Sequence, residues 1–180
     1  MPGFRHVGDE LLHEGYVISL YRSSFIAPDG TPFERDVVRH PGAVSVVPVH
    51  DDGRVVLVRQ FRSAVDDMVL EIPAGKRDVD GEPPAATAAR ELAEEVGLAA
   101  SQWDPLVTFH NSIGFSDEFS HVFLARGLSE VPVDRQGVEE AYLEVVEMPL
   151  VEALDAVVTG RITDGKTVVG LLAAARLLGV

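Results

Sequence analysis

The apolar residues of the chain fall into short runs whose spacing changes along its length. Residues 16–27 set Val17, Ile18, Tyr21, Phe25 and Ile26 among polar neighbours, which predicts an extended segment. Pro28-Asp29-Gly30-Thr31 follows with turn chemistry, the proline fixing φ and the glycine accepting a positive one. A second extended run, 33–40, completes a predicted N-terminal hairpin. Residues 43–49 and 54–61 are strongly β-prone and are separated by Asp51-Asp52-Gly53, a hairpin signal. A short strand over 68–72 stops at Pro73-Ala74-Gly75. From Pro84 to Val96 the period becomes helical, and Gly97 ends it. Strands resume at 106–110, 121–126 and 141–148, and two helices are predicted at 150–158 and 167–178. Strands before and after one central helix, with helices at the end, predict mixed α/β layers around one core.

The central helix contains Arg90-Glu91-Leu92-Ala93-Glu94-Glu95-Val96-Gly97-Leu98. At about 100° per residue, Glu94 and Glu95 lie within roughly 60° of Glu91 on either side. Ala85, Ala88, Ala89, Leu92 and Val96 form an adjacent apolar stripe. Like charges one turn apart cost about 0.2–0.5 kcal/mol per pair. These also sit at the C-terminal end of the helix, where the dipole prefers cations. A solvated acidic face would explain an isolated string of this kind. Locally unfavourable patterns also mark functional sites, and a hard, oxygen-preferring cation such as Mg²⁺ would reverse the sign of the energetics.

Composition narrows the classes. With 15 Lys+Arg against 29 Asp+Glu in 180 residues, the net charge is −14. That disfavours partners held by non-specific attraction to phosphate, so neither nucleic acid nor an acidic membrane is expected. An anionic substrate would need local help from arginines or a cation. The chain has no cysteine, which excludes disulfides, thiolate nucleophiles and zinc–thiolate sites. The first ten residues have no apolar core of a targeting segment. The apolar stretch 167–180 is interrupted by Arg176 and falls short of the ~20 residues a bilayer span needs. Cytoplasm is the expected location, and the length suits one domain with a small extension.

Upstream of the helix lies Glu71-Ile72-Pro73-Ala74-Gly75-Lys76, then Asp78, Asp80, Gly81 and Glu82. From Glu82 through Leu98 the chain resembles the box of Nudix hydrolases, G-x5-E-x7-R-E-U-x-E-E-x-G-U with U aliphatic. Upstream it departs: six residues, not five, separate Gly75 from Glu82. One residue inserted in a turn-like surface loop accounts for this. The wider chain, roughly residues 15–150, resembles the ADP-ribose pyrophosphatase branch of that family. The resemblance rests on His40-Pro41-Gly42-Ala43-Val44, Val58-Arg59-Gln60-Phe61-Arg62 and Glu71-Ile72-Pro73-Ala74-Gly75.

The resemblance implies a Nudix α/β/α sandwich with a mixed sheet over residues 41–180. It also implies an N-terminal β-hairpin extension over 1–40 that pairs two subunits in a homodimer. It assigns metal binding to Glu91, Glu94, Glu95 and the Ala74 carbonyl, with Mg²⁺ as cofactor and Mn²⁺ a possible substitute. Arg90 would orient these carboxylates. Arg62, and with it Arg59, would hold a pyrophosphate, although both flank a strand end and simple solvation would also account for them. The general base would come from Glu139 or Glu140, with Glu140 favoured; a glutamate pair before a strand is also commonly just solvated. Gly114-Phe115-Ser116-Asp117-Glu118 would line the substrate pocket, unless the stretch is an ordinary connection, and Arg35 is a candidate nucleobase contact. The implied reaction is Mg²⁺-dependent hydrolysis of a nucleoside diphosphate sugar, ADP-ribose to AMP and ribose 5-phosphate. The family's signature proline is replaced by Ile113. That leaves open another nucleotide sugar of the GDP-mannose type, a nucleoside triphosphate, or a non-catalytic nucleotide-binding module.

Other patterns fail on context. The six histidines have no zinc-like spacing, and residues 114–118 lack the second glycine of a nucleophile elbow. Residues 160–167 match the letters of a phosphate loop, G-x4-G-K-T, but no buried strand precedes them. Gly165 is expected only to separate two helices.

Overall fold

A computed structural model describes residues 3–135 and 138–180, without the side chain of Glu139. It divides into two compact units, one of residues up to Gly42 with His110–Phe119, the other of Ala43–Phe109 with Ser120–Val180.

The first unit is a three-stranded antiparallel sheet of β1 (Arg5–Glu14), β2 (Ser19–Ile26) and β3 (Pro32–Arg39), in that order. The sequence predicted only the β2–β3 hairpin. β1 carries no apolar alternation because all ten of its residues are exposed, so burial leaves no mark on its composition. The β2–β3 turn forms as its residues dictate. The Gly30 N–H donates to the Ala27 carbonyl at 2.9 Å, and the Asp29 carboxylate accepts from the Thr31 N–H at 2.9 Å. Phe25 and Phe33, opposite each other in register, stack with centroids 5.3 Å apart. The segment after His110 joins this unit through the Val38 N–H to Phe115 carbonyl bond (2.7 Å).

The second unit has two sheets. One runs β10–β5–β6, from β5 (Arg54–Arg62), β6 (Asp67–Glu71) and β10 (Glu144–Pro149). The other runs β7–β4–β9–β8, from β4 (Ala43–Pro48), β7 (Ala74–Lys76), β8 (Leu98–His110) and β9 (Phe119–Glu130), with β4 parallel to β9. Among the described residues four helices complete it: α1 (Pro84–Val96), α2 (Val138–Ala141), α3 (Leu150–Val158) and α4 (Gly165–Leu178).

Side-chain alternation explains why β4 and β5 are apolar on both faces. Val44, Val46, Val56 and Val58 pack on Ala88, Leu92 and Val96 of α1, whereas Val47, Val49, Val55 and Leu57 pack on Leu150, Ala153 and Ala156 of α3 and Leu171 and Ala174 of α4. All of β4 and residues 55–58 of β5, buried on both faces, thus separate α1 from α3 and α4. α4 approaches this core closely, since a Cβ on Gly170 would lie 2.9 Å from Ile72 Cδ1 and 3.1 Å from Val47 Cγ2.

Two boundaries and one helix face differ most from the sequence reading. β8 begins at Leu98 rather than 106, because its first residues alternate poorly. Ala141 ends α2 instead of starting the last strand. On α1 the buried face is rotated from the predicted stripe: Ala85 and Ala89 are exposed, while Glu91 and Glu95 are buried beside Ala88, Leu92 and Val96.

Candidate active site

The last two turns of α1 place the three acidic side chains in different surroundings. Glu95 is only 3% exposed, Glu91 9%, and Glu94 is half-buried. Burial pushes the Glu95 carboxyl up to about 8; repulsion from Glu91 and Glu140 adds to this, while the Ala74 N–H and Arg62 oppose it. Burial also lifts Glu91 to about 7, with Arg90 opposing and Glu94 and Glu140 reinforcing. The two carboxyls stand against the close turn at Pro73-Ala74-Gly75. The Ala74 N–H donates to Glu95 Oε2 at 3.0 Å, and a Cβ on Gly75 would overlap the Glu91 carboxyl. Glycine at 75 therefore keeps open the space that Glu91 occupies.

Arg90 stands at the centre of the acidic group. Its Nη1 lies 2.9 Å from Glu91 Oε1 and 3.0 Å from Glu94 Oε2, and its Nη2 lies 3.4 Å from Glu82 Oε2. The inserted residue is taken up in a turn closed by the Glu82 N–H to Val79 carbonyl bond, with Gly81 at φ +75°. Glu82 thereby still reaches Arg90, and hydrogen bonds from Thr87 and Arg90 hold its carboxyl below the ordinary range.

The cation that the helix C-terminus lacks in its own sequence comes from elsewhere. Arg135 donates from Nε to the Glu95 carbonyl (2.9 Å) and from Nη1 to the Leu143 carbonyl (3.0 Å). The Asp134 N–H reaches the Glu94 carbonyl at 3.3 Å, and Gly97 closes the helix at φ +70°. This segment leads towards α2 and Glu140, whose charge reaches both Glu91 and Glu95.

On the neighbouring sheet, Arg62 grips Glu71 with two hydrogen bonds, Nε to Oε1 at 2.7 Å and Nη2 to Oε2 at 2.6 Å. Glu71 is 2% exposed, and its bonds raise the Arg62 pKa further. Arg59 is exposed at the same strand end.

Among the described residues no three Asp, Glu or His side chains are grouped to ligate a metal ion, since Arg90 draws Glu91 and Glu94 together in its place. The donor chemistry nevertheless suits a hard cation: carboxylates and a backbone carbonyl, no sulfur, and two acids that burial holds above the ordinary range, an effect an added positive charge would offset.

The family model described as NUDIX domain matches residues 39–166. The chain belongs to the Nudix family. It is 41% identical over 161 residues to an ADP-ribose pyrophosphatase of Bacillus subtilis, covering 89% of this chain and 86% of that one. It is 42% identical over 170 residues to an ADP-ribose pyrophosphatase of Mycobacterium tuberculosis, covering 94% and 82%. A crystal structure of an ADP compounds hydrolase superposes with a TM-score of 0.85 at 20% identity, covering 98% of this chain and 95% of the other, so the sandwich is the Nudix fold.

In this Nudix hydrolase the second unit brings together Arg62, Ala74, Arg90, Glu91, Glu94, Glu95 and Glu140. Arg59 lies in the same unit, whereas Arg35 and residues 114–118 lie in the first. Arg35, Gly114, Phe115, Ser116 and Asp117 line a cavity of about 410 Å³ with Phe4, Phe25 and Phe33. Arg35 stacks 4.9 Å over the Phe33 ring. Ile113, in the place of the family's proline, is 80% exposed at its edge. The Asp117 carboxylate is engaged within the unit, accepting from Arg39 Nη1 (3.1 Å) and the His40 N–H (3.0 Å). Glu118 is not part of that lining, its N–H being taken by Ser116 Oγ. The side chain of Glu139 and all of Gly137 lie outside the described residues.

Sequence reasoning missed three supporting residues. Glu71 was legible as a charge in an apolar run, but nothing in the spacing paired it with Arg62. Arg135 offered no signal, being one of many surface charges. Thr167 was visible only as the last letter of a misleading phosphate-loop pattern.

Proposed function

We propose that the chain hydrolyses the pyrophosphate bond of a nucleoside diphosphate sugar, with ADP-ribose the leading substrate and AMP and ribose 5-phosphate the products. The observation that carries this reading is the pair of buried carboxyls, Glu91 and Glu95, pressed against Ala74 and Gly75. The relatives from Bacillus subtilis and Mycobacterium tuberculosis support the substrate class. In this reading Glu91, Glu94, Glu95 and the Ala74 carbonyl hold Mg²⁺, with Mn²⁺ able to substitute. When bound, such a cation neutralises phosphate oxygens and makes an attacking water more acidic.

The residues of the chain do the rest. Arg90 keeps Glu91 and Glu94 from splaying into solvent. Arg62, its geometry fixed by Glu71, presents its outer edge to a phosphate oxygen, and Arg59 adds positive charge at the strand end. Glu140, on α2, takes the proton of the water that attacks phosphorus, while the bridging P–O bond breaks. In the first unit Phe33 and Arg35 offer a stacking surface for a base, with residues 114–117 beside it. β1, wholly exposed and bearing Val7, Leu11 and Leu12, supports pairing with a second copy.

The exposed Ile113 favours a second reading, in which the preferred substrate is another nucleotide sugar, of the GDP-mannose type. Hydrolysis in ¹⁸O-labelled water over ADP-ribose, GDP-mannose, NADH and dNTPs, with products identified by mass, decides between them. Tight ADP-ribose binding with no product in Mg²⁺ would overturn the catalytic reading altogether.

A further inference from the structure

The segment that sequence letters liken to a phosphate loop performs a different task. Its helix N-terminus is already capped from within: Asp164 Oδ2 accepts from the Thr167 N–H at 2.9 Å and from Thr167 Oγ1 at 2.7 Å, while Asp164 Oδ1 accepts from Lys166 Nζ at 2.7 Å. The Thr167 N–H and hydroxyl and the Lys166 ammonium, donors a phosphate would use, are therefore spent on Asp164. Thr167 is fully buried, and its hydroxyl has a second partner across 95 residues of sequence, the Ile72 N–H, which donates to Oγ1 at 3.0 Å. Because the hydroxyl proton points to Asp164, the oxygen's lone pair is turned towards Ile72.

Ile72 sits between the two halves of the site. Immediately before it, Glu71 grips Arg62; immediately after it, the Pro73 carbonyl accepts from the Val46 N–H at 2.9 Å and the Ala74 N–H holds Glu95. α4 is packed onto the same residue, with Gly170 close enough to Ile72 that a Cβ would meet its Cδ1. We infer that the Asp164–Thr167 pair is a positioning device that clamps the 71–75 segment, setting the Ala74 peptide against Glu95 and the Glu71 carboxylate against Arg62. This rests on the catalytic reading above and extends it to residues far from the box helix. Without the hydroxyl, the buried Ile72 N–H loses its acceptor and the segment can rotate its peptides to seek another. The first group displaced would be the Ala74 peptide, two residues on.

The test compares Thr167→Val, which keeps shape and removes the hydroxyl, with Thr167→Ser, which restores it, and with Asp164→Asn, which takes the charge from the acceptor of the Thr167 hydroxyl and N–H and unpairs Lys166. Mn²⁺ affinity is read by electron paramagnetic resonance on the folded, metal-stripped chain at 20 °C, and kcat and KM are read with ADP-ribose. Expected are a roughly tenfold weaker Mn²⁺ affinity and a lower kcat at little-changed KM in Thr167→Val, equivalent to about 1.4 kcal/mol. Thr167→Ser should recover most of both, and Asp164→Asn should fall between. A folded Thr167→Val with wild-type Mn²⁺ affinity and kcat overturns the inference. If that variant does not fold, wild-type values in Asp164→Asn overturn it instead. An unmutated protein that neither binds Mn²⁺ nor hydrolyses any substrate would defeat the catalytic reading, an outcome separate from either of these.

Discussion

Glu95 is the residue on which the proposed chemistry presses hardest. Its carboxyl is almost wholly buried and lifted to about 8, so at neutral pH the metal-free protein holds it largely protonated. Glutamine mimics that protonated form in size and hydrogen bonding. Glu95→Gln should therefore leave thermal stability unchanged or slightly raised while cutting turnover by orders of magnitude, and calorimetry beside a phosphate-release assay would show whether the two separate. The same burial gives a pH signature. Folded Glu91 and Glu95 both sit above the ordinary 4.5, at about 7 and about 8, so the folded chain holds protons that the unfolded chain releases. The resulting stability is full below pH 4.5 and lost as pH rises through 7 to 8. The melting temperature of metal-stripped protein should fall across that window, and Mg²⁺ should raise it most at the alkaline end. A melting temperature that ignores both pH and Mg²⁺ there would contradict the burial of these groups as acids.

At the level of elements, α1 was legible from its sequence in extent, stop signal and acidic content, because a helical period, a glycine and a run of glutamates are all local facts. Its orientation was less so. The predicted stripe included Ala85 and Ala89, but the packing of α1 on Val44, Val46, Val56 and Val58 selects a face that contains Glu91 and Glu95. Alanine contributes little area to either choice, and only the tertiary contacts decide. The missing C-terminal cation was likewise a non-local fact, since Arg135 arrives from forty residues downstream. β1 and the short α2 escaped notice for the opposite reason: one has no buried face to imprint a period, the other is a single turn. Replacing Arg135 by Met keeps the aliphatic stem but strips donors from the Glu95 and Leu143 carbonyls. It should lower stability by about 1–3 kcal/mol, and denaturant unfolding will show a reduced midpoint with an unchanged slope.

For the molecule as a whole, the two units carry different burdens. The second has two apolar clusters and holds the acidic site; the first has aromatic side chains lining a cavity and a strand whose ten residues are all exposed. Exposed Val7, Leu11 and Leu12 on an edge strand are an aggregation hazard unless another surface meets them. Sedimentation equilibrium at micromolar protein should give twice the 19.4 kDa chain mass. Val7→Lys with Leu11→Lys should return the single-chain mass without loss of circular-dichroism signal. A monomeric wild type at all concentrations would remove the pairing role of β1.

The turn at Val79–Glu82 carries a wider lesson about spacing. Since Arg90 fetches Glu82 by charge, and the connection to Gly75 only has to be long enough, that stretch is free to gain or lose a residue during descent with no change at the acidic helix.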